Sequence, residues 1–257
     1  MLEQMIDFIL SWFAIPSPIG IGLAIVFGAI WLVGYWPPLF RKPWLWAVLV
    51  ISAFLSLIAV SFIQLPLQIL VGQALDQFWS QEMLMRWILL AGIPQILLSG
   101  LVQEGSKLVP VVIWWLGEER TLEPKMGLAI GAVAGAGLGV FEAVWVHNSI
   151  FAAGWGWEFV REGGFMALAG FWERFFAVAF HIASCALAGW GLAKGWGWQF
   201  YLLAAFLHSL LNYSVAILQA GIFTIIHVEI YAAVIAVIVT AGALWLRWRK
   251  SEESSEE

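Results

Sequence analysis

Four apolar stretches of this sequence carry side chains that can exchange protons or donate hydrogen bonds. An unpaired ionisable group is costly inside an apolar membrane helix, so such groups are candidates for function. Glu104 and Lys107 lie three residues apart, and His208 and Asn212 lie four apart, so each pair shares one face of a helix. In chain order, the full set is Gln103, Glu104, Lys107, Glu142, Glu173, Arg174, His181, His208 and Asn212.

These residue types favour hydrolytic chemistry. A carboxylate beside a histidine can take a proton from water. A second histidine, with an asparagine on the same helix face, can donate hydrogen bonds to a developing oxyanion. The candidate catalytic residues are therefore Glu104, Glu142, His181, His208 and Asn212.

A metal site is the alternative chemistry for the same residues. Glu142, His181 and His208 could hold a divalent ion such as zinc with one position left open for water. The sequence lacks the HExxH motif of conventional zinc peptidases. We therefore expect catalysis without a bound cofactor, and keep zinc as the alternative.

Each ionisable group also has a purely structural interpretation. Glu104 and Lys107 could form a salt bridge that pins the helices together, and a protonated Glu142 could donate to a backbone carbonyl. Glu173 and Arg174 are adjacent at the start of an apolar stretch, which is typical of an ion pair or an interfacial anchor. Each of these interpretations accounts for one group at a time. Polar groups that face inward on four different helices are better explained by one shared site.

The composition is that of an integral membrane protein. Of the 257 residues 62% are hydrophobic and only 11% charged, and the 18 tryptophans suit the two membrane interfaces. Mean hydropathy is +0.90. A net charge of −5 without a basic patch argues against nucleic-acid binding, and one cysteine, Cys185, excludes an internal disulfide.

Continuous apolar runs predict an all-α, polytopic bundle in a single membrane domain, residues 1–250. An amphipathic helix over residues 1–14 is expected to lie in the interface before the first span. An acidic cytoplasmic tail, 251–257, follows the last one. The seven predicted spans are near 19–36, 44–67, 87–116, 126–146, 171–192, 199–218 and 222–246.

Two local features refine this picture. Glycines recur every fourth residue from Gly127 to Gly139, a smooth stripe that allows another helix to approach closely. After the fourth span we expect a loop over residues 147–170, with His147 and Asn148 in the cap or loop.

Basic residues predict the orientation. With seven spans, the positive charges concentrate on one side of the membrane, so the N-terminus is expected outside and the C-terminus in the cytoplasm. A bacterial cytoplasmic membrane is the expected location. The residues on the basic side are Arg41, Lys42, Arg120, Lys125, Lys194, Arg247, Arg249 and Lys250.

The order of the motifs resembles that of the glutamic-type intramembrane proteases, which include the CAAX prenyl endopeptidases and the PrsW and YhfC membrane peptidases. The fifth span, ERFFAVAFHIAS, is similar to the YhfC branch in particular. The four matching segments, within residues 95–215, are Gln103 to Lys107, Gly139 to Glu142, Trp172 to His181, and His208 to Asn212.

This resemblance implies a helical bundle with a water-filled cavity, in which a peptide bond of a membrane-associated peptide or protein is hydrolysed. A motif carboxylate and His181 would activate water, and His208 and Asn212 would bind the oxyanion. Lys107 would hold the carboxylate in place, and Gln103 and Glu173 complete the motifs. Partners are then membrane lipids and the substrate, while the oligomeric state is not encoded in these motifs.

The sequence departs from the family pattern at Gln103, which stands where the family has its first glutamate. Glutamine cannot act as a general base, so either Glu104 or Glu142 has the role, or the chain is a non-catalytic relative that binds a partner. A transporter or proton relay is a further alternative. No inverted repeat is apparent, which counts against a transporter.

Overall fold

The computed structural model describes residues 2–249, and within them the chain is helical, without strands. This confirms the predicted all-α bundle; the acidic tail lies outside the described residues. The α-helices are α1 (Leu2–Ser11), α2 (Pro18–Val33), α3 (Trp44–Ala59), α4 (Leu65–Phe78), α5 (Gln81–Arg86), α6 (Ile88–Ala91), α7 (Ile93–Gly117), α8 (Pro124–Ala152), α9 (Trp157–Gly163), α10 (Ala169–Ala193), α11 (Gly197–Gln219) and α12 (Ile225–Trp248).

Six helical segments of the described chain are long and apolar enough to cross a membrane. They overlap with six of the seven predicted spans. The remaining span, predicted near 19–36, corresponds to α2, whose 16 residues reach about 24 Å and so fall short of a typical hydrocarbon core. Because it has these six helices, the chain is an integral membrane protein. The count of seven spans stays a prediction.

The second span runs further than the sequence predicted. A π-helix, Val60–Gln64, joins α3 to α4, so that the helical segment continues from Trp44 to Phe78. Such a wide turn changes which face the following residues present. It places Gln64 inside the protein, where it is almost fully buried.

The centre of the bundle is the contact between α8 and α10, and the glycine stripe makes this contact close. A Cβ atom on Gly131 would overlap the carbonyl oxygen of Cys185, and one on Gly135 would overlap that of His181. At Gly139, a Cβ atom would lie 3.2 Å from the His181 Cβ atom. The close helix approach expected from the stripe is confirmed.

The loop predicted from residue 147 is wrong. Helix α8 continues to Ala152, and His147 and Asn148 are buried within it. Both bind the start of α2: the Asn148 side-chain oxygen accepts from the Ser17 N–H at 2.9 Å, and His147 Nδ1 lies 3.1 Å from the Gly20 carbonyl oxygen. Polar residues near the end of a span are typical of a loop, but here they hold the first turn of α2 against α8.

Substituting Gly135 by alanine is expected to destabilise the protein by about 1–3 kcal/mol, because the new methyl group overpacks against the α10 backbone. The control is Gly242→Ala in α12, where nothing lies within 4 Å of a Cβ atom. Thermal unfolding in detergent measures both. A Gly135→Ala protein that unfolds at the temperature of the control would show that the helices are not in close contact.

Candidate functional site

Four helices bring the predicted ionisable residues together in the interior of the bundle. Helix α7 supplies Glu104 and Lys107, α8 supplies Glu142, α10 supplies His181, and α11 supplies His208. These residues form one hydrogen-bonded cluster, which we call the polar cluster. Four of the five candidate catalytic residues belong to it.

Glu104 lies at the most buried point of the polar cluster. Its Oε1 atom is 2.6 Å from Lys107 Nζ and accepts a hydrogen bond of 2.7 Å from His208 Nδ1–H. The hydroxyl of Ser184 lies 3.2 and 3.1 Å from the two carboxylate oxygens. Both Glu104 and Lys107 are 0% exposed, so these contacts replace the hydrogen bonds to water that the two charged groups lose on burial.

His181 links the inner pair to an outer group of charges. Its Nδ1 atom lies 3.1 Å from Lys107 Nζ, and its Nε2 atom lies 3.2 Å from Glu142 Oε2. An ammonium only donates and a carboxylate only accepts. The arrangement therefore assigns a neutral imidazole that accepts at Nδ1 and donates from Nε2–H.

Beyond His181 the polar cluster continues through Glu142, Arg174 and Glu173, which are partly exposed. Arg174 lies 2.9 Å from Glu142 Oε2 and also pairs with Glu173. Exposure of the side chain rises to 22% at Glu142 and 30% at Glu173. The polar cluster thus opens towards the bundle end at which α10 begins. The pairing of Glu173 with Arg174 is confirmed, whereas the contact of Arg174 with Glu142 was not predicted.

Gln103 and Asn212 do not make hydrogen bonds to the polar cluster. The Gln103 amide donates to Gln64 Oε1 at 3.1 Å, in the π-helix after α3. The Asn212 amide donates to Ser99 Oγ at 3.0 Å. Since neighbouring residues on a helix are rotated by about 100°, Gln103 faces α3 and α4 while Glu104 faces α10 and α11.

One residue of the site, Ser184, and one contact, that of Arg174 with Glu142, were missed by sequence reasoning. Ser184 lies three residues after His181, and this spacing on one helix face was an available signal. Arg174 lies seven residues before His181, two turns along the same face, and was assigned only to Glu173. The position of Gln64 has no signal in the sequence, because it follows from the π-helix.

A divalent ion could use Glu104, His181 and His208, whose donor atoms lie within 4.8 Å of one another. The sequence predicted Glu142 in place of Glu104, but Glu142 contacts the opposite nitrogen of His181. Lys107 Nζ already contacts two of the three donors, Glu104 Oε1 and His181 Nδ1. The cation that this donor set holds is therefore an ammonium, and a metal ion fits only if Lys107 is displaced.

Comparisons of the chain with family models, with curated proteins and with solved structures find no match. The relation to the glutamic-type intramembrane proteases therefore rests on the order of four short motifs and is a resemblance. The function has to be argued from the site itself.

Removing Lys107 alone is expected to destabilise the protein more than removing both charges of the pair. Lys107→Met leaves a buried carboxylate without its cation, and breaking a buried pair in this way costs about 3–5 kcal/mol. The double variant Lys107→Met/Glu104→Gln should recover part of this loss in thermal unfolding. Lys194→Met, at an exposed lysine, is the control. A double variant less stable than Lys107→Met would contradict the buried pair.

Zinc binding at the polar cluster is expected to require the removal of Lys107. Isothermal titration of the chelator-treated parent should show no saturable zinc binding, whereas Lys107→Ala should gain one zinc per chain because the carboxylate and imidazole donors are freed. Adding His181→Ala to Lys107→Ala should abolish the new binding. Stoichiometric zinc in the parent that His208→Ala removes would contradict the assignment of an ammonium.

Proposed function

We propose that this protein is an intramembrane peptidase that hydrolyses a peptide bond in a membrane-associated peptide or protein. The observation that supports this most is the contact of Glu104 with His208. His208 Nδ1–H donates to the buried carboxylate, while its Nε2 has no hydrogen-bond partner among residues 2–249 and is not fully enclosed. A carboxylate behind an imidazole with a free second nitrogen is a suitable general base.

In the proposed reaction, His208 Nε2 takes a proton from water while the water oxygen attacks the carbonyl carbon of the scissile peptide. Glu104 fixes the imidazole tautomer and stabilises the imidazolium that forms. Lys107 and Ser184 hold the carboxylate in place. The intermediate then collapses as the carbon–nitrogen bond breaks, and the imidazolium proton passes to the leaving nitrogen.

Asn212 is the proposed donor to the oxyanion. It lies one turn from His208 on α11, and only one of its two amide N–H groups is needed for the bond to Ser99. The second N–H can donate to the oxygen on which negative charge develops. Two roles differ from those implied by the resemblance: His208 is the base instead of an oxyanion donor, and His181 does not activate the water. Both its nitrogens are engaged, so it couples the inner pair to Glu142.

We place the protein in a bacterial cytoplasmic membrane, with the N-terminus outside and the C-terminus in the cytoplasm. The distribution of basic residues supports this orientation. The polar cluster then opens, through Glu142 and Glu173, towards the outer side. A substrate would meet the polar cluster from that side or from within the membrane.

A non-catalytic binding protein is the second candidate, and Gln103 is the observation that favours it. If catalysis needed a carboxylate at this position, the natural chain would be inactive. The hydrogen bond from Gln103 to Gln64 argues against this second candidate, because it directs the Gln103 side chain away from the polar cluster. A glutamate at position 103 would therefore face α3 and α4, and Glu104 is the carboxylate that serves the reaction.

Glu104→Gln and His208→Ala are expected to lower peptidase activity by roughly 10²–10⁴-fold, the contribution of a positioned general base. Because the natural substrate is unidentified, the probe is a pool of solubilised membrane proteins incubated with reconstituted enzyme. New N-termini are then counted by mass spectrometry. His227→Ala, at an exposed histidine of α12, is the matched control and should retain parent activity.

Gln103→Glu separates the two candidate functions in the same assay. The peptidase proposal expects new N-termini from the parent and no gain from this variant, because position 103 lies outside the polar cluster. Cleavage that appears only in Gln103→Glu would favour the non-catalytic binding protein. Equal cleavage by the parent and His208→Ala would contradict the proposed base.

A further inference from the structure

A second polar feature lies at the opposite end of the bundle from the opening of the polar cluster. An open cavity of about 770 Å³ is lined by the end of α2, the turn after it, the start of α8 and the end of α12. Its walls are mainly apolar, and they include Leu32, Val33, Trp36, Phe40 and Met126. We call it the basic-end cavity.

Three cationic side chains and one carboxylate line the basic-end cavity. They are Arg41, Lys125, Arg247 and Glu123. Arg247 donates to the Tyr35 carbonyl at 2.7 Å, a neutral partner, and forms no ion pair with a carboxylate of residues 2–249. Among residues 2–249, neither Arg41 nor Lys125 has a carboxylate within 4 Å. Among the described residues, those that line the cavity therefore carry a net positive charge.

The position of the cavity along the bundle places its positive charges next to the hydrocarbon layer of the membrane. It lies where α2 and α12 end and α8 begins, so its charged rim is at the level of a membrane interface. Leu32 and Val33, on the last turn of α2, extend its wall into the apolar part of the bundle. No side chain caps the N-terminus of α8, whose partial positive charge adds to that of Lys125.

We propose that the basic-end cavity binds an anionic phospholipid of the surrounding leaflet. The phosphate would lie among Arg41, Lys125 and Arg247, and an acyl chain would extend along Leu32 and Val33. Both parts of the cavity are then used: the positive rim complements a lipid phosphate, and the apolar wall complements a chain that a soluble anion lacks. This site is separate from the polar cluster and does not depend on the proposed function.

Native mass spectrometry of the full-length protein tests this site, with phosphatidylglycerol titrated into the detergent and phosphatidylcholine as the zwitterionic comparison. The parent should bind one phosphatidylglycerol per chain in preference to phosphatidylcholine. Arg41→Gln/Lys125→Gln should weaken that binding roughly 10- to 30-fold, at about 1 kcal/mol for each cation near the lipid. Lys42→Gln/Lys194→Gln is the matched control, because it removes the same charge outside the cavity.

Two further measurements distinguish binding of a lipid from nonspecific electrostatic attraction of an anion. Ala29→Phe fills part of the cavity without a change of charge and should also weaken phosphatidylglycerol binding. Glycerol phosphate, which has the anion without the acyl chains, should not compete with the lipid. Equal loss in the control double variant, or full competition by glycerol phosphate, would overturn the proposal. No preference for the anionic lipid would also overturn it, and would leave the acidic residues 252–257 as the candidate occupant.

Discussion

The interaction on which the rest of the site depends is the burial of Glu104 and Lys107 without any exposure to solvent. Two charges can remain in an apolar bundle only if donors and acceptors alternate around them. The polar cluster meets this condition in a single chain of contacts. In order, it runs through His208, Glu104, Lys107, His181, Glu142, Arg174 and Glu173. Because helices in lipid gain little from hydrophobic association, such a chain is also a reason for four helices to stay together.

The glycine stripe and the polar cluster are parts of the same helix contact. The α10 backbone carbonyl that lies against Gly135 belongs to His181, and Gly139 faces the Cβ atom of that residue. Glu142 follows Gly139 by three residues, so it lies on the same face of α8, one turn further. Close backbone approach therefore determines where the imidazole is and which carboxylate it reaches. A larger residue in the stripe would move the ring as well as the helix.

Helix type, the approximate spans and most members of the site could be predicted, because hydropathy and three- or four-residue spacing are local properties of the sequence. Which neighbouring polar residue faces the site could not be predicted, since Gln103 and Glu104 differ only by a rotation that tertiary packing selects. The contact of Arg174 with Glu142 joins residues of two helices through long side chains, which spacing does not encode. The extension of α8 past His147 had a signal that was overlooked: no glycine or proline interrupts the chain before Gly154.

Helix α8 connects the two polar features of the molecule. Lys125 at its start lines the basic-end cavity, and Glu142, seventeen positions further along, belongs to the polar cluster. This is about 25 Å of helix. This distance is most of the thickness of a hydrocarbon core, so the two features face opposite leaflets. Among the described residues, no hydrogen bond or ion pair joins the two features directly. A mechanical effect of a bound lipid on the proposed reaction would require α8 to shift against α10, where the glycine contacts leave almost no space for sliding. The structure therefore favours a lipid that holds α8 in place over one that regulates the site by moving it.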